Sequence, residues 1–342
     1  MDTSEVWRSE DTQYCFSNFN GSCPKAPRFL TTRVLLYILF SAGVILTVFG
    51  NLVVIISISH FRQLHTPTNF LVVSLAAGDF LLGLSVMPFS MIRTIESCWY
   101  FGETYCLLHS TFDMSLTTVS IFHLIFIAID RHYAICDPLL YSVKITNQVI
   151  GVFISVSWLL PITYSYGSVY SKAGLTDHST PSDSCLGHCV LVFNAVWGPL
   201  HTLISFFLPC CVMMGIYAKI FLVARRHARL ISGAENAKQI TDKGKLSNHK
   251  DRKAARTLTI VMTVFVLCWM PAFADAVVDP FFNFPTPTIV YDCLVFLGYC
   301  NSALNPIIYA FFYPWFQNAL KLIISCAIFR PDSSTINLFS KK

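Results

Sequence analysis

Apolar positions along this chain do not alternate with polar ones. They run in seven long blocks, about 33–59, 69–92, 103–134, 147–167, 193–225, 254–279 and 287–311, separated by short polar stretches. A helix needs ~20 mostly apolar residues to cross the hydrocarbon of a bilayer, and each block approaches or exceeds that length. Where water is absent, every backbone N–H and C=O must be satisfied within the protein, so the blocks are predicted to be helices. A membrane β-barrel would instead show alternating segments of ~10 residues. The expected fold is therefore an all-α membrane protein. A seven-helix bundle over 33–311 follows a polar tail, 1–32, and precedes a short amphipathic helix, 312–325, and a terminal tail, 326–342. Residues 1–30 lack the apolar core and small-residue cleavage site of a secretory signal. No internal repeat or low-complexity run is present.

Composition agrees with burial in lipid. The chain of 342 residues is 54% hydrophobic and 13% charged, against roughly 25% charged in soluble domains. Charge then sets the expected orientation. With the N-terminus outside, six of the 24 Lys and Arg (Arg8, Lys25, Arg28, Arg33, Arg93 and Lys172) lie outside and eighteen inside, the bias expected of cytoplasmic loops. The most basic stretch runs from Arg225 to Arg256, between blocks five and six. Topology and anionic lipid explain it, and no nucleic-acid partner is implied. Asn20-Gly21-Ser22 is a glycosylation sequon on the side predicted to face outward.

There are 13 cysteines. Those inside the blocks, Cys210, Cys211, Cys268, Cys293 and Cys300, read as small buried hydrophobes. Cys23, Cys106, Cys185 and Cys189 form an even set on the outer side, which suggests two disulfides. Cys15 and Cys98 lie there too, so counting alone does not fix the pairing. Cys326, just after block seven, is a candidate for palmitoylation, with an unmodified thiol as the alternative.

Charges inside a span are costly and mark function. Asp79 falls mid-block two, Asp113 in the outer third of block three, and Asp130-Arg131 at the inner end of block three. Eighteen residues separate Asp113 from Arg131, about five helical turns. Block three holds no Lys or Arg partner for Asp113. An unpaired carboxylate there either protonates or waits for a cation, and a protonated amine would supply one. The alternative is a carboxylate that bonds Tyr299 or another hydroxyl and only orients helices. Trp269, Phe273, Phe296 and Tyr299 could complete an amine pocket, since ring faces attract ammonium groups; in a chain this aromatic, rings also simply pack. His109, four residues before Asp113, reads more simply as a polar residue near the helix top than as a modulator of the pocket. Pro88, Pro161, Pro209, Pro271 and Pro306 each interrupt a different block and predict bends.

The motifs in these blocks, taken together, resemble the rhodopsin-like G-protein-coupled receptors. They are Gly50-Asn51, Leu75-Ala76-Ala77-Gly78-Asp79, Asp130-Arg131-His132, Trp158, Pro209 with Tyr217, Phe265 with Cys268-Trp269-Met270-Pro271, and Asn305-Pro306-Ile307-Ile308-Tyr309. The resemblance covers nearly the whole chain. His132 departs from the tyrosine usual in the family. The run Asn301–Phe316, the stretch Phe61–Asn69 and Cys98-Trp99-Tyr100-Phe101-Gly102 look like the trace amine-associated receptors of the aminergic branch.

That resemblance implies roles. Asp113 would bind the amine, with Met114, Thr117, His201, Thr202, Trp269, Phe273, Phe296 and Tyr299 around it. Asp79, Ser120, Asn301, Ser302 and Asn305 would form a pocket for an allosteric sodium ion, with no other cofactor. Asp130 would hold Arg131 in the inactive state, and Tyr217, Pro271 and Tyr309 would serve activation by a heterotrimeric G protein. Cys106 would bond Cys189, and Cys23 would bond Cys185. His201 and Thr202 stand where some diamine-sensing relatives carry a second aspartate. Asp275, Asp279 and Asp292 lie higher and would face water or the rim, with a longer polyamine as the other reading.

The expected function is a plasma-membrane receptor for small volatile or trace amines, of olfactory type, that raises cyclic AMP through a stimulatory G protein. An aminergic neurotransmitter-type receptor is the alternative. A transporter using Asp79, Asp113 and Asp130 as an ion path is more remote, because no Gly-broken helix pair appears. No HExxH, GxSxG or metal-spaced cluster supports an enzyme.

Overall fold

The computed structural model describes residues 13–171, 185–189, 193–194, 196–234, 242–282 and 286–339. Seven of its helices are long and apolar enough to cross a membrane: Leu30–His60, Pro67–Glu96, Gly102–Cys136, Asn147–Tyr170, Trp197–Val223, Thr259–Val278 and Thr288–Phe312. The protein is a multi-pass membrane bundle.

We number the helices in chain order. The first span is α1 (Leu30–His60). The second span divides into α2 (Pro67–Ser85) and α3 (Met87–Glu96). The break at Val86 comes just before Pro88, which lacks an N–H to continue the ladder. Thr66 caps α2 by accepting the Asn69 N–H, with Pro67 at its first position. The third span is α4 (Gly102–Cys136), and α5 (Pro138–Lys144) follows it in the next loop. The fourth span is α6 (Asn147–Tyr170), capped by Thr146. The fifth opens with α7 (Trp197–Thr202), passes through a π-helical turn at Leu203–Phe207 and continues as α8 (Leu208–Ala234). That turn precedes Pro209, whose ring and missing N–H disturb the same stretch. The sixth span lies within α9 (Asp242–Val278), and the seventh is α10 (Thr288–Phe312). The amphipathic helix α11 (Pro314–Ile324) is the predicted eighth helix, starting two residues later than 312 because Tyr313 is extended ahead of Pro314. Most side chains of the basic Arg225–Arg256 stretch lie outside the described residues.

α4 runs through the centre, and its buried residues extend from Cys106 to Ile135. Exposed apolar residues such as Leu35, Phe49, Leu159, Leu222 and Leu267 face outward, as lipid-facing side chains do. Cys211 belongs with them: it is exposed, unlike Cys210 and Cys268, which are buried. The expectation that every span cysteine is a core residue is corrected there, because consecutive helix positions point to different faces. Cys326 is exposed just past α11, and Asn20 is exposed in the tail.

Candidate functional site

Three disulfides close the end of the bundle that carries the N-terminal tail. Cys106 at the top of α4 bonds Cys189, and Cys23 bonds Cys185. A third bridge joins Cys15 to Cys98, so the expectation of two is corrected to three. All six cysteines flanking this end are used, which parity alone could have suggested. The tail is clamped further by charge. Lys25 and Arg33 both contact Glu96 at 2.5 Å, and Arg28 donates to the Ile95 carbonyl at 2.9 Å and to Ser97 Oγ at 2.9 Å. Partial burial opposes the Lys25 charge, but the hydrogen bond and negative charge of Glu96 outweigh it and hold the ammonium above its ordinary pKa. These ties seat residues 23–33 over the mouth of the helices.

Below that cover, Asp113 is half-buried on α4. Among the described residues it has no ion-pair partner within contact distance. The hydroxyls of Tyr299 and Thr117 are its nearest polar company, yet both are buried atoms without a well-formed hydrogen bond. A partly accessible carboxylate faced by two hydroxyls has room to accept a guest that brings a positive charge and donors.

The floor of the site is aromatic. Trp269 lies 5.5 Å from Phe273 and 5.9 Å from Tyr299, ring centre to ring centre. Phe273 stacks on Phe206 at 4.2 Å, which ties the sixth span to the π-helical turn of the fifth. Thr202 is buried. His201 stacks on Tyr164 and accepts or donates at 2.8 Å through Nδ1, so its ring is committed to the fourth span. Met114 is half-buried beside Asp113. Phe296 is shared between the first span and the aromatic cluster. It stacks on Phe40 of α1 at 3.9 Å and meets Tyr299 edge-on at 6.0 Å, so one of its faces is covered by the first span. His109 is buried, and its Nε2 engages Ser90 Oγ at 3.1 Å, the structural role that its place near the helix top suggested.

Sequence reasoning missed Arg93 and the state of Asp292. Arg93 Nη2 lies 3.3 Å from Asp292 Oδ1, and Asp292 is buried rather than facing water, which corrects the rim reading. Asp275 accepts from Thr286 Oγ1 at 2.8 Å, while its other oxygen is buried and unpaired. The side chain of Asp279 lies outside the described residues. The missed signal was a lone Arg just past the second apolar block, 199 residues from Asp292 in sequence but adjacent in space.

Halfway down, Asp79 is fully buried. Its Oδ1 accepts from Ser120 Oγ at 2.9 Å and Ser302 Oγ at 2.7 Å, and its Oδ2 from Asn305 Nδ2 at 2.8 Å. Asn301 makes no side-chain bond to it: both its amide atoms are buried without partners, as are the Asn51 and Asn305 Oδ1 atoms. Buried orphan oxygens around a carboxylate are rare in native folds, and oxygen-only donors suit a hard cation.

At the opposite end, Asp130 is fully buried and Arg131 Nε donates to its Oδ2 at 2.7 Å. Thr68 Oγ1 (2.9 Å) and Tyr141 Oη (3.0 Å) also donate to Asp130, and Arg131 Nη2 touches Thr68 Oγ1. Tyr309 packs against Tyr313 and Phe316, and Tyr217 packs on the main core. Among the described residues, no group of three or more His, Cys, Asp or Glu could hold a metal.

The bundle thus has seven spans, a half-buried carboxylate under a disulfide-tied cover, a polar centre and an acid–arginine pair at the opposite end. The chain belongs to the seven-transmembrane receptors of the rhodopsin family, whose family model matches residues 50–309. It is 52% identical to trace amine-associated receptor 13c of Danio rerio over 97% of both chains, and 50% identical to trace amine-associated receptor 4 of Mus musculus over 99% of both. It is also 48% identical to trace amine-associated receptor 9 of Mus musculus over 99% of both. Within the family it is a member of the trace amine-associated receptors, a signalling receptor and not an enzyme.

Proposed function

We propose that this receptor binds small amines at Asp113 and signals through a stimulatory heterotrimeric G protein, raising cyclic AMP in olfactory neurons. The observation that carries the reading is the unpaired, partly accessible Asp113 above the Trp269–Phe273–Tyr299 floor. An ammonium pairs with the carboxylate, and the ligand's apolar body packs on the rings. Met114, Thr117 and Thr202 shape the walls. His201, stacked on Tyr164, sets the fifth-span wall without offering a negative charge.

A ligand shifts an equilibrium only by its differential affinity for the two states. In this proposal the contracted pocket of the active state holds the amine better. The sixth span then swings about Pro271 and parts from Arg131, and a helix of the G protein enters the cleft beside Arg131, Tyr217 and Tyr309. The Asp79 cluster accepts a sodium ion in the resting state: Asp79 supplies charge, and Ser120, Ser302, Asn301 and Asn305 supply oxygen. The tail and the three disulfides face the outside of the plasma membrane, where Asn20 is available for glycosylation, and Cys326 lies at the inner surface for palmitoylation.

A cyclic-AMP screen of volatile mono-, di- and polyamines, run beside Asp113→Ala, tests this. Responses in the parent that vanish in the variant at equal surface expression support it. Equal responses in both, or activation by permanently neutral compounds, would refute it.

A further inference from the structure

Tyr291 of α10 lies within electrostatic reach of four charged side chains: Asp113, Arg93, Asp292 and Asp275. Three are carboxylates and one is a cation. Arg93 is the described cation in that group, and its placement is specific. It rises from α3, one of its Nη atoms points to Asp292 Oδ1 at 3.3 Å, and the other points to the Cys189 carbonyl at 3.3 Å. Both bonds are at the long limit of hydrogen bonding. Its Nε is buried with no partner. The pair is therefore loosely made on a side chain that has more donors than acceptors.

Arg93 and Asp292 also line a cavity of about 710 Å³ beneath the N-terminal tail, with Cys23, Arg28, His188 and Cys189 among the other walls. Asp292 precedes Tyr299 by seven residues on α10. That is two turns, so the two lie on one face of the helix roughly 10 Å apart along its axis. Tyr299 is the hydroxyl that faces Asp113. A ligand whose first ammonium sits at Asp113 and whose chain follows this face of α10 would reach Asp292 at the cavity wall. There its second ammonium would meet a carboxylate that Arg93 already neutralises.

We propose that Arg93 is a built-in counter-ion that occupies the place of a ligand's second ammonium at Asp292, and so tunes the site to amines bearing a single positive charge. This rests on the reading of Asp113 as the primary amine site. Arg93 is also within electrostatic reach of Asp113, so its role as a specificity residue against dications is read from the ratio of diamine to monoamine potency and not from either potency alone.

The test compares dose responses to straight-chain monoamines, butylamine to decylamine, with those to the matching α,ω-diamines, in the parent, Arg93→Gln, Arg93→Lys and the double variant Arg93→Gln/Asp292→Asn, all scaled to surface expression. Arg93→Gln is expected to improve diamine potency relative to monoamine potency by about tenfold or more at the chain lengths that reach Asp292. Arg93→Lys should keep the parental ratio because it keeps the charge, and the double variant should return to that ratio. An unchanged ratio in Arg93→Gln, or a gain that survives Asp292→Asn, overturns the proposal and leaves the Asp113 reading standing. Silence of every form toward both series overturns the two together.

Discussion

Gly298 and Trp269 are in such close contact that a Cβ on the glycine would stand 2.5 Å from Cε3 of the indole and 2.6 Å from Cζ3. The sixth and seventh spans meet at this point, one residue before Tyr299. A ring packed on Phe273 and Tyr299 cannot rotate aside as the end of a flexible chain would. Gly298→Ala is thus expected to displace the indole and lower stability by roughly 1–3 kcal/mol, the usual cost of overpacking. Gly151→Ala is the control: nothing lies within 4 Å of its Cβ position, and alanine favours a helix by ~1 kcal/mol over glycine. Thermal melting of the purified receptor should fall for the first and hold or rise for the second.

The Asp79 cluster predicts a salt effect. Asp79→Asn removes the central negative charge while keeping a side chain that Ser120 and Ser302 can still bond. Agonist potency in the parent is expected to weaken as sodium replaces a large organic cation at fixed ionic strength, and Asp79→Asn should erase that difference. The measurement is agonist potency in membranes under the two salts. A variant that keeps the parental sodium dependence contradicts the assignment.

Asp130 accepts from Arg131, Thr68 and Tyr141, so its negative charge organises the resting end of α4. Asp130→Asn should release Arg131 and raise ligand-free signalling several-fold, since a shift of 1 kcal/mol changes a population ratio about fivefold. Tyr141→Phe removes one donor and should act in the same direction but more weakly. Basal nucleotide exchange on a reconstituted G protein reads both.

The Cys15–Cys98 bridge closes a sequence separation of 83 residues. In the chain-entropy account, a loop of this size contributes on the order of 4 kcal/mol; here the salt bridges to Glu96 already restrain the same tail, so the loss should be smaller. Cys15→Ser/Cys98→Ser is expected to lower the melting temperature measurably while leaving the Cys106–Cys189 link intact on peptide mapping.

The spans and their order were legible because burial in lipid writes long apolar runs that nothing else in a chain this size produces. Asp79, Asp113 and Asp130 stood out by the same logic, as charges where charge is costly. What stayed illegible depended on partners distant in sequence. The stacking of Phe296 on Phe40 could not be read from either position, and Asp292 read as a rim acid until Arg93, on another span, was found against it. The third disulfide was within reach of counting, since six cysteines lie near one membrane face, but its pairing was not: only the fold brings Cys15 beside Cys98. Residue type and periodicity fix which face of a helix is apolar; they do not say which neighbour fills it.

The central claim is that a positively charged ligand pairs with Asp113, and one measurement addresses it directly. Dose responses to an activating amine are recorded for the parent and for Asp113→Asn at matched surface expression. Truncating one partner of a desolvated charge pair costs roughly 2–5 kcal/mol, so potency should fall by at least about thirtyfold. A potency unchanged within threefold in Asp113→Asn would contradict the account.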